Sequence, residues 1–279
     1  MKKIIAAFDG LKFSENTRDY AVNISRLTHA HLAGVFLDDI TYTSYKIYDL
    51  VTKEGVTEKK LKELDKKDKA LREIAVADFE EACQKASLKY SVHHDRKIAL
   101  QELIHESIYT DMLLIDCKET LTHYEEKFPT RFIRDLLTDV QCPVLLVQQK
   151  FKPVGKVVLL YDGAPSSVHA IKMFSYTLEV FRHLPTEVIS VKGMNSDLHV
   201  PDNKLMKEYM KRHYPKATFT VLKGVAETEI VNYLKSEKEN ILVVLGAYRR
   251  PMVSRWFRAS MADVLMKELK VPLFIAHNK

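Results

Sequence analysis

The feature that most constrains this chain is an internal repeat. KKIIAAFDGLKFSENTRDYAVNI, from Lys2, and GKVVLLYDGAPSSVHAIKMFSYT, from Gly155, follow one plan: a short apolar strand, an aromatic residue, Asp-Gly, a turn, and a serine five residues after the aspartate. Asp9 corresponds to Asp162, and Ser14 to Ser167. Apolar residues then recur at helical spacing, as Tyr20, Ala21, Ile24 and Leu27 and as Ala170, Ile171, Phe174 and Leu178. Ser14 and Ser167 are expected to be helix N-caps, because a hydroxyl accepts from the first free helical amides.

The ends of the repeats also match. YTDMLLIDCKE resembles KENILVVLGAY, and LLTDVQCPVLLVQQ resembles LMKELKVPLFIAHN. Each ending holds a proline, Pro143 or Pro272, which keeps the preceding residue extended before a last apolar strand. KFKPVGK, Lys150 to Lys156, lacks apolar periodicity and reads as a linker. The chain is therefore read as two domains, 1–149 and 154–279, and 279 residues are enough for both.

Strand and helix patterns alternate in each repeat. Near-continuous apolar runs such as VVLL and ILVVL suit parallel strands covered on both faces. The expected fold class is α/β, with one doubly wound, open, parallel five-stranded sheet per repeat. Ligands of such sheets sit beyond the carboxyl ends of the strands, and Asp9, Asp162 and Gly246 fall there. The repeats differ most at Lys53 to Tyr90, a charged segment with a rough helical stripe of Leu61, Leu64, Leu71, Ile74, Phe79 and Ala82, expected to be a solvated amphipathic helix.

Composition excludes several classes. With 46% hydrophobic and 29% charged residues the chain is globular rather than disordered. A net charge of +6, with 37 acids interspersed, is too mixed to imply nucleic acid. No apolar run approaches the roughly 20 residues of a membrane span, and MKKIIAAFDG reads as a strand rather than a secretory signal. Cys83, Cys117 and Cys142 form no zinc spacing and read as buried, reduced, cytoplasmic thiols. There is no GxxxxGK[ST], no GxGxxG after a strand and no GxSxG elbow. His93, His94 and Asp95 are adjacent, but neighbours on a strand point to opposite faces, which argues against a metal site. His29 and His31 share a face and lack partner ligands.

Two such halves, each opening with a strand ending in Asp-Gly and closing with strand–loop–helix–Pro–strand, resemble the universal stress protein family in its tandem form. The resemblance implies a five-stranded parallel α/β fold, with ATP held at the strand ends in nucleotide-binding members. Their closing loop reads Gly-x-x-Gly, nine residues, then Gly-Ser or Gly-Thr. Glycine there lets backbone amides approach phosphate. On that pattern Gly246 stands at the first glycine, Arg249 at the second, Ala259 at the third, and Ser260 keeps the hydroxyl. Asp162 matches the aspartate set near adenosine, and Val191 an adenine-side position. The resemblance thus implies a cofactor site of Asp162, Val191, Gly246, Arg249 and Ser260.

In the first repeat the loop is DCKETLTHYEEKFPTRF. Asp116 and Glu119 replace the first two glycines, Glu125 and Glu126 follow, and no triphosphate is expected there. Asp9 is then expected to be structural, through the hydrogen bonds of its turn. Arg249, Arg250, Arg255 and Arg258 allow two readings. Either guanidinium groups replace the lost backbone donors, or they are surface residues at a helix start marked by Pro251, over Trp256 and Phe257.

The leading expectation is a non-enzymatic, cytoplasmic, stress-linked binding protein. ATP or AMP is the candidate ligand, in the second domain only. Protein partners are expected, nucleic acid and membrane are not. The last strands, Val144–Val147 and Leu273–Ala276, are expected to pair as an intramolecular pseudo-dimer, with further dimerisation open. The alternatives are a nucleotide-independent interaction module and a weak ATP-hydrolysing enzyme.

Overall fold

A computed structural model describes residues 1–38, 58–95, 98–122, 124–247 and 260–277. It divides into two compact units. One spans Lys2–Gln141, and the other joins Met1 to Cys142–Lys279.

The Lys2–Gln141 unit holds β1 (Lys3–Asp9), α1 (Glu15–Thr28), β2 (His31–Leu37), α2 (Glu58–Lys85), β3 (Tyr90–Asp95), α3 (Ala99–Ser107), β4 (Met112–Asp116) and α4 (Arg131–Asp139). Its strands run parallel in the order β3-β2-β1-β4. Ile4 to Phe8 of β1 and Met112 to Ile115 of β4 are buried on both faces, as a helix-covered parallel sheet requires. Phe8, Phe36 and Phe79 pack as a cluster, with ring centroids 5.3–6.0 Å apart.

The Cys142–Lys279 unit holds β5 (Val144–Val147), β6 (Lys156–Leu160), α5 (Pro165–Thr177), a 3₁₀ turn (Glu179–His183), β7 (Thr186–Lys192), α6 (Asn203–His213), β8 (Thr218–Lys223), α7 (Ala226–Ser236), β9 (Ile241–Gly246), α8 (Met261–Glu268) and β10 (Leu273–Ala276). The order is β5-β10-β9-β6-β7-β8, parallel except for β5. β5 lies antiparallel to β10, with Leu146 opposite Leu273 and Val144 opposite Ile275.

The α/β class and the parallel strands are as expected, and so is the pairing of the two last strands, β5 with β10. β5, counted in the sequence with the first repeat, falls in the second compact unit, within which it hydrogen-bonds along β10. The unit boundary therefore falls at Gln141 and Cys142, before the linker. The linker is pinned: Asn240 Nδ2 donates to Lys152 O at 2.8 Å and Pro153 O at 3.0 Å.

Two local expectations change. The buried stripe of α2 is Asp68, Ala75, Phe79 and Cys83, while Ile74 is 65% exposed. The face is set by Phe79 docking on the sheet, which turns Ile74 outward. Residues 53–57 of the charged segment lie outside the described residues. Ser14 is the N-cap of α1 and accepts from Thr17 N at 3.3 Å, but Ser167 is not a cap. Pro165, preorganised for a first helical turn, starts α5 three residues earlier, with Ala164 at the cap position.

At the amino ends of β6 and β7, far along the strands from the expected site, Lys156 Nζ lies 2.8 Å from both Glu187 Oε2 and Glu237 Oε1. Glu187 is buried and also accepts from Thr220 Oγ1 and, at 2.7 Å, from Tyr233 OH. Removing one member of a buried network strands the others. Glu187→Ala is expected to cost about 3 kcal/mol in urea unfolding, and a loss within that of an ordinary surface substitution would refute the role.

Candidate functional site

The carboxyl ends of β6, β7 and β9 bring Asp162, Val191 and Gly246 to one end of a single sheet. Ser260 opens α8, which follows β9. Asp162 is exposed, and Val191, Gly246 and Ser260 are partly exposed. Arg249 lies outside the described residues, as do Arg250, Pro251, Arg255, Trp256, Phe257, Arg258 and Ala259.

Asp162 Oδ1 accepts from Ala164 N at 2.9 Å and from Ser167 Oγ at 2.7 Å. One oxygen of the carboxylate thus secures the turn into α5, and Ser167 serves this aspartate rather than the helix end. Gly163 has φ +84°, and a Cβ there would lie 2.7 Å from Pro201 Cβ. The segment after β7 therefore packs against the Asp-Gly turn. Within that segment Val200 is buried, while Met194 and Leu198 are exposed.

Gly246 is needed for close approach. A Cβ on it would lie 2.4 Å from Ser166 O and 2.9 Å from Ser167 N, so the end of β9 runs against the first turn of α5. Ser260 caps α8 in a capping box: Ala262 N donates to its Oγ at 3.3 Å, and Ser260 N donates to Asp263 Oδ2 at 3.3 Å.

The first repeat keeps the aspartate turn bond and differs in burial and in its loop. Asp9 is 1% exposed, against the exposed Asp162. Its Oδ1 accepts from Leu11 N at 2.7 Å, the turn bond expected of it. Ser14 Oγ turns to Asp116 Oδ2 at 2.7 Å. Glu119, at the position of the second family glycine, folds inward and is 8% exposed. Its Oε1 accepts from Thr120 N at 2.9 Å and Leu121 N at 3.1 Å. Thr130 Oγ1 donates to Glu119 O at 2.6 Å and caps α4 by accepting from Ile133 N. Glu126 Oε2 accepts from Arg131 N at 2.6 Å. Burial, with Asp9 and then Asp116 nearby, pushes the Glu119 carboxyl up to about 8, against its two backbone donors.

Sequence reasoning placed four carboxylates in this loop but not the burial of Glu119. The signal that could have found it is positional: a glycine site against a sheet end has little room, so a side chain there must point in or reshape the loop.

The other singled-out groups make contacts within the fold. His93 Nδ1 sits 2.7 Å from Glu106 Oε1, and its Nε2 lies 3.3 Å from Ser91 Oγ, which is 3.0 Å from His31 Nε2. His94 faces the other way, stacked on Phe36 with centroids 6.0 Å apart. His29 caps α1 with left-handed backbone. Among the described residues no three His, Cys, Asp or Glu side chains gather as a metal site. Cys83, Cys117 and Cys142 are free and buried, and burial pushes the Cys83 and Cys117 thiols up to about 12. No described helix is long and apolar enough to cross a membrane.

Solved structures place this geometry. Over 99% of the chain and 96% of the other, it superposes on a universal stress protein from Archaeoglobus fulgidus DSM 4304 with a TM-score of 0.69 and 14% identity. A functionally unknown protein from Pseudomonas aeruginosa PAO1 matches over 99% of the chain and 92% of its own, with a TM-score of 0.63 and 12% identity. The chain has the tandem universal stress protein fold. No protein-family profile matches it, and no curated protein matches it by sequence. The two repeats are asymmetric at their strand ends: Asp162 is exposed, and Asp9 is buried with the Glu119 carboxyl near enough to act on it electrostatically.

Proposed function

We propose that the chain is a cytoplasmic stress-response protein that acts by binding, with one adenine-nucleotide site, in the second repeat. Asp162, Val191, Gly246 and Ser260 would form it, with Arg249 and its neighbouring arginines supplying charge for the phosphates. The observation that carries this reading is the contrast of Asp162, open at the strand ends, with Asp9, buried beside Glu119. The first repeat would be a structural partner whose own site is filled from within. No step of nucleotide chemistry is assigned to the site.

A specific observation favours a second reading, an interaction module without nucleotide. Gly246 is explained by packing on Ser166, and Ser260 by capping α8 beside Asp263, so two of the retained motif residues have work without a ligand. Material released by acid from freshly purified protein separates the readings. Adenine absorbance near one equivalent per chain supports the nucleotide site. Its absence, together with no thermal stabilisation by added ATP or AMP, supports the module.

A further inference from the structure

Charge is divided unevenly along the chain. Residues 154–279 carry nineteen Lys and Arg against twelve Asp and Glu, so the second repeat is the basic one. Part of that excess gathers on α6 and β8. Residues 203–223 hold Lys204, Lys207, Lys211, Arg212, Lys216 and Lys223 and a single carboxylate, Glu208.

The helix geometry sorts these cations. Met206 and Met210 of α6 are buried. Lys204, Lys207 and Lys211, spaced three and four apart, share one flank of the helix. That flank faces β8, because Lys207 Nζ lies 5.9 Å from the Phe219 ring centroid. The opposite flank faces α5, where Tyr209 OH meets Ser175 Oγ at 3.3 Å. On β8, Thr220 turns to Glu187 and α7, so by strand alternation Phe219, Val221 and Lys223 turn to α6. All five lysines are exposed. None of them has a carboxylate oxygen within 4.0 Å among the described residues, whereas Lys156, Lys192 and Lys235 of the same unit are paired.

β8 is also an edge. Among the described residues it pairs only with β7, in parallel register from Glu187–Thr218 to Lys192–Lys223. Its outer backbone donors and acceptors can template another strand.

We propose that the β8 edge and the Lys204–Lys207–Lys211 stripe form a docking surface for an acidic, extended peptide segment of a partner protein, which adds to the sheet as a further strand. Backbone hydrogen bonds to β8 supply the pairing, and carboxylates on alternate residues meet the stripe. The spacing fits. Lys204 to Lys211 spans about 10 Å at the rise of a helix, and three alternate residues of a strand span about 13 Å, within the reach of lysine side chains. The surface is distinct from the nucleotide site and does not depend on it.

The test uses the full chain without nucleotide and a fluorescein-labelled ten-residue peptide alternating glutamate and valine, read by anisotropy. The expected result is saturable binding that weakens with salt, at least about tenfold loss in a Lys207→Glu/Lys211→Glu variant, and little change in a Lys238→Glu/Lys270→Glu control. A peptide of equal charge with two central prolines, unable to add as a strand, is expected not to bind. Hydrogen exchange should slow at β8 amides in the complex. Equal binding of the proline peptide, or equal binding by the stripe variant, overturns the proposal. So does a thymidine decamer that binds where the glutamate peptide does not, which would make the surface one for nucleic acid. Self-association of the stripe variant with unchanged peptide affinity overturns it too, leaving the lysines as guards of an open edge.

Discussion

Gly246→Ala should destabilise the second unit by about 3 kcal/mol or more, the upper part of the range for forced overpacking, with Tm lower by about 6–12 °C for a chain of this size. The added methyl would sit 2.4 Å from Ser166 O and 2.6 Å from Ser166 C. Both are backbone atoms in the first turn of α5, so no side-chain rotation relieves the overlap. Either β9 or α5 must shift, and both are packed by Phe174, Val243 and Val244, all buried. Urea unfolding measures the loss. A variant within 0.5 kcal/mol of the parent, the usual spread of harmless surface changes, would show that the close approach is not maintained. A Gly246 variant that fails to bind nucleotide has lost the frame of the site as well as any amide in it.

Glu119→Gln is the second large effect, and its sign depends on pH. The folded carboxyl is held at about 8 and its ordinary value is 4.5. A folded-state pKa above the unfolded one means that the folded chain holds the proton more tightly. Stability is then greatest below the ordinary value and falls as pH rises from 4.5 towards 8. Above that window the buried anion beside Asp9 remains as a cost. Glutamine keeps an oxygen for Thr120 N and Leu121 N and carries no charge. Relative to the parent, Glu119→Gln should gain about 2 kcal/mol between pH 5 and 9, read by chemical denaturation at each pH. Parallel stability curves for the two proteins would show that Glu119 does not titrate in the folded chain as described.

Much of the fold was legible because its determinants are local. ILVVL and VVLL are runs of branched apolar residues, and both became buried stretches of parallel strands. The repeat itself carried the topology, since matching strand–turn–helix openings with matching Pro–strand closings leave few ways to wind a sheet. The errors came from tertiary context. Ile74 satisfies helical spacing as well as Ala75 does, and only the docking of Phe79 decides which is inside. Ser167 has the position of a cap by analogy with Ser14, but Pro165 moved the start of the helix. By contrast, the antiparallel pairing of β5 with β10, more than a hundred residues away, was expected, because two last strands would otherwise leave open edges. The strand-end placement of Asp162, Val191 and Gly246 was legible. The inward fold of Glu119 was not, because an acidic residue in a polar loop carries no mark of burial.

Calorimetric titration of the full chain with ATP and AMP tests the proposed second-repeat site most directly. The predicted result is one saturable site per chain, weakened about tenfold or more in Asp162→Ala by loss of a charged acceptor. Asp162→Asn, which keeps an acceptor for Ala164 N and Ser167 Oγ, should also bind more weakly while folding as the parent does, and Glu119→Gln should bind as the parent does. Two sites per chain, or no heat and no thermal stabilisation at about 1 mM nucleotide, where even a weak complex would form, would contradict it.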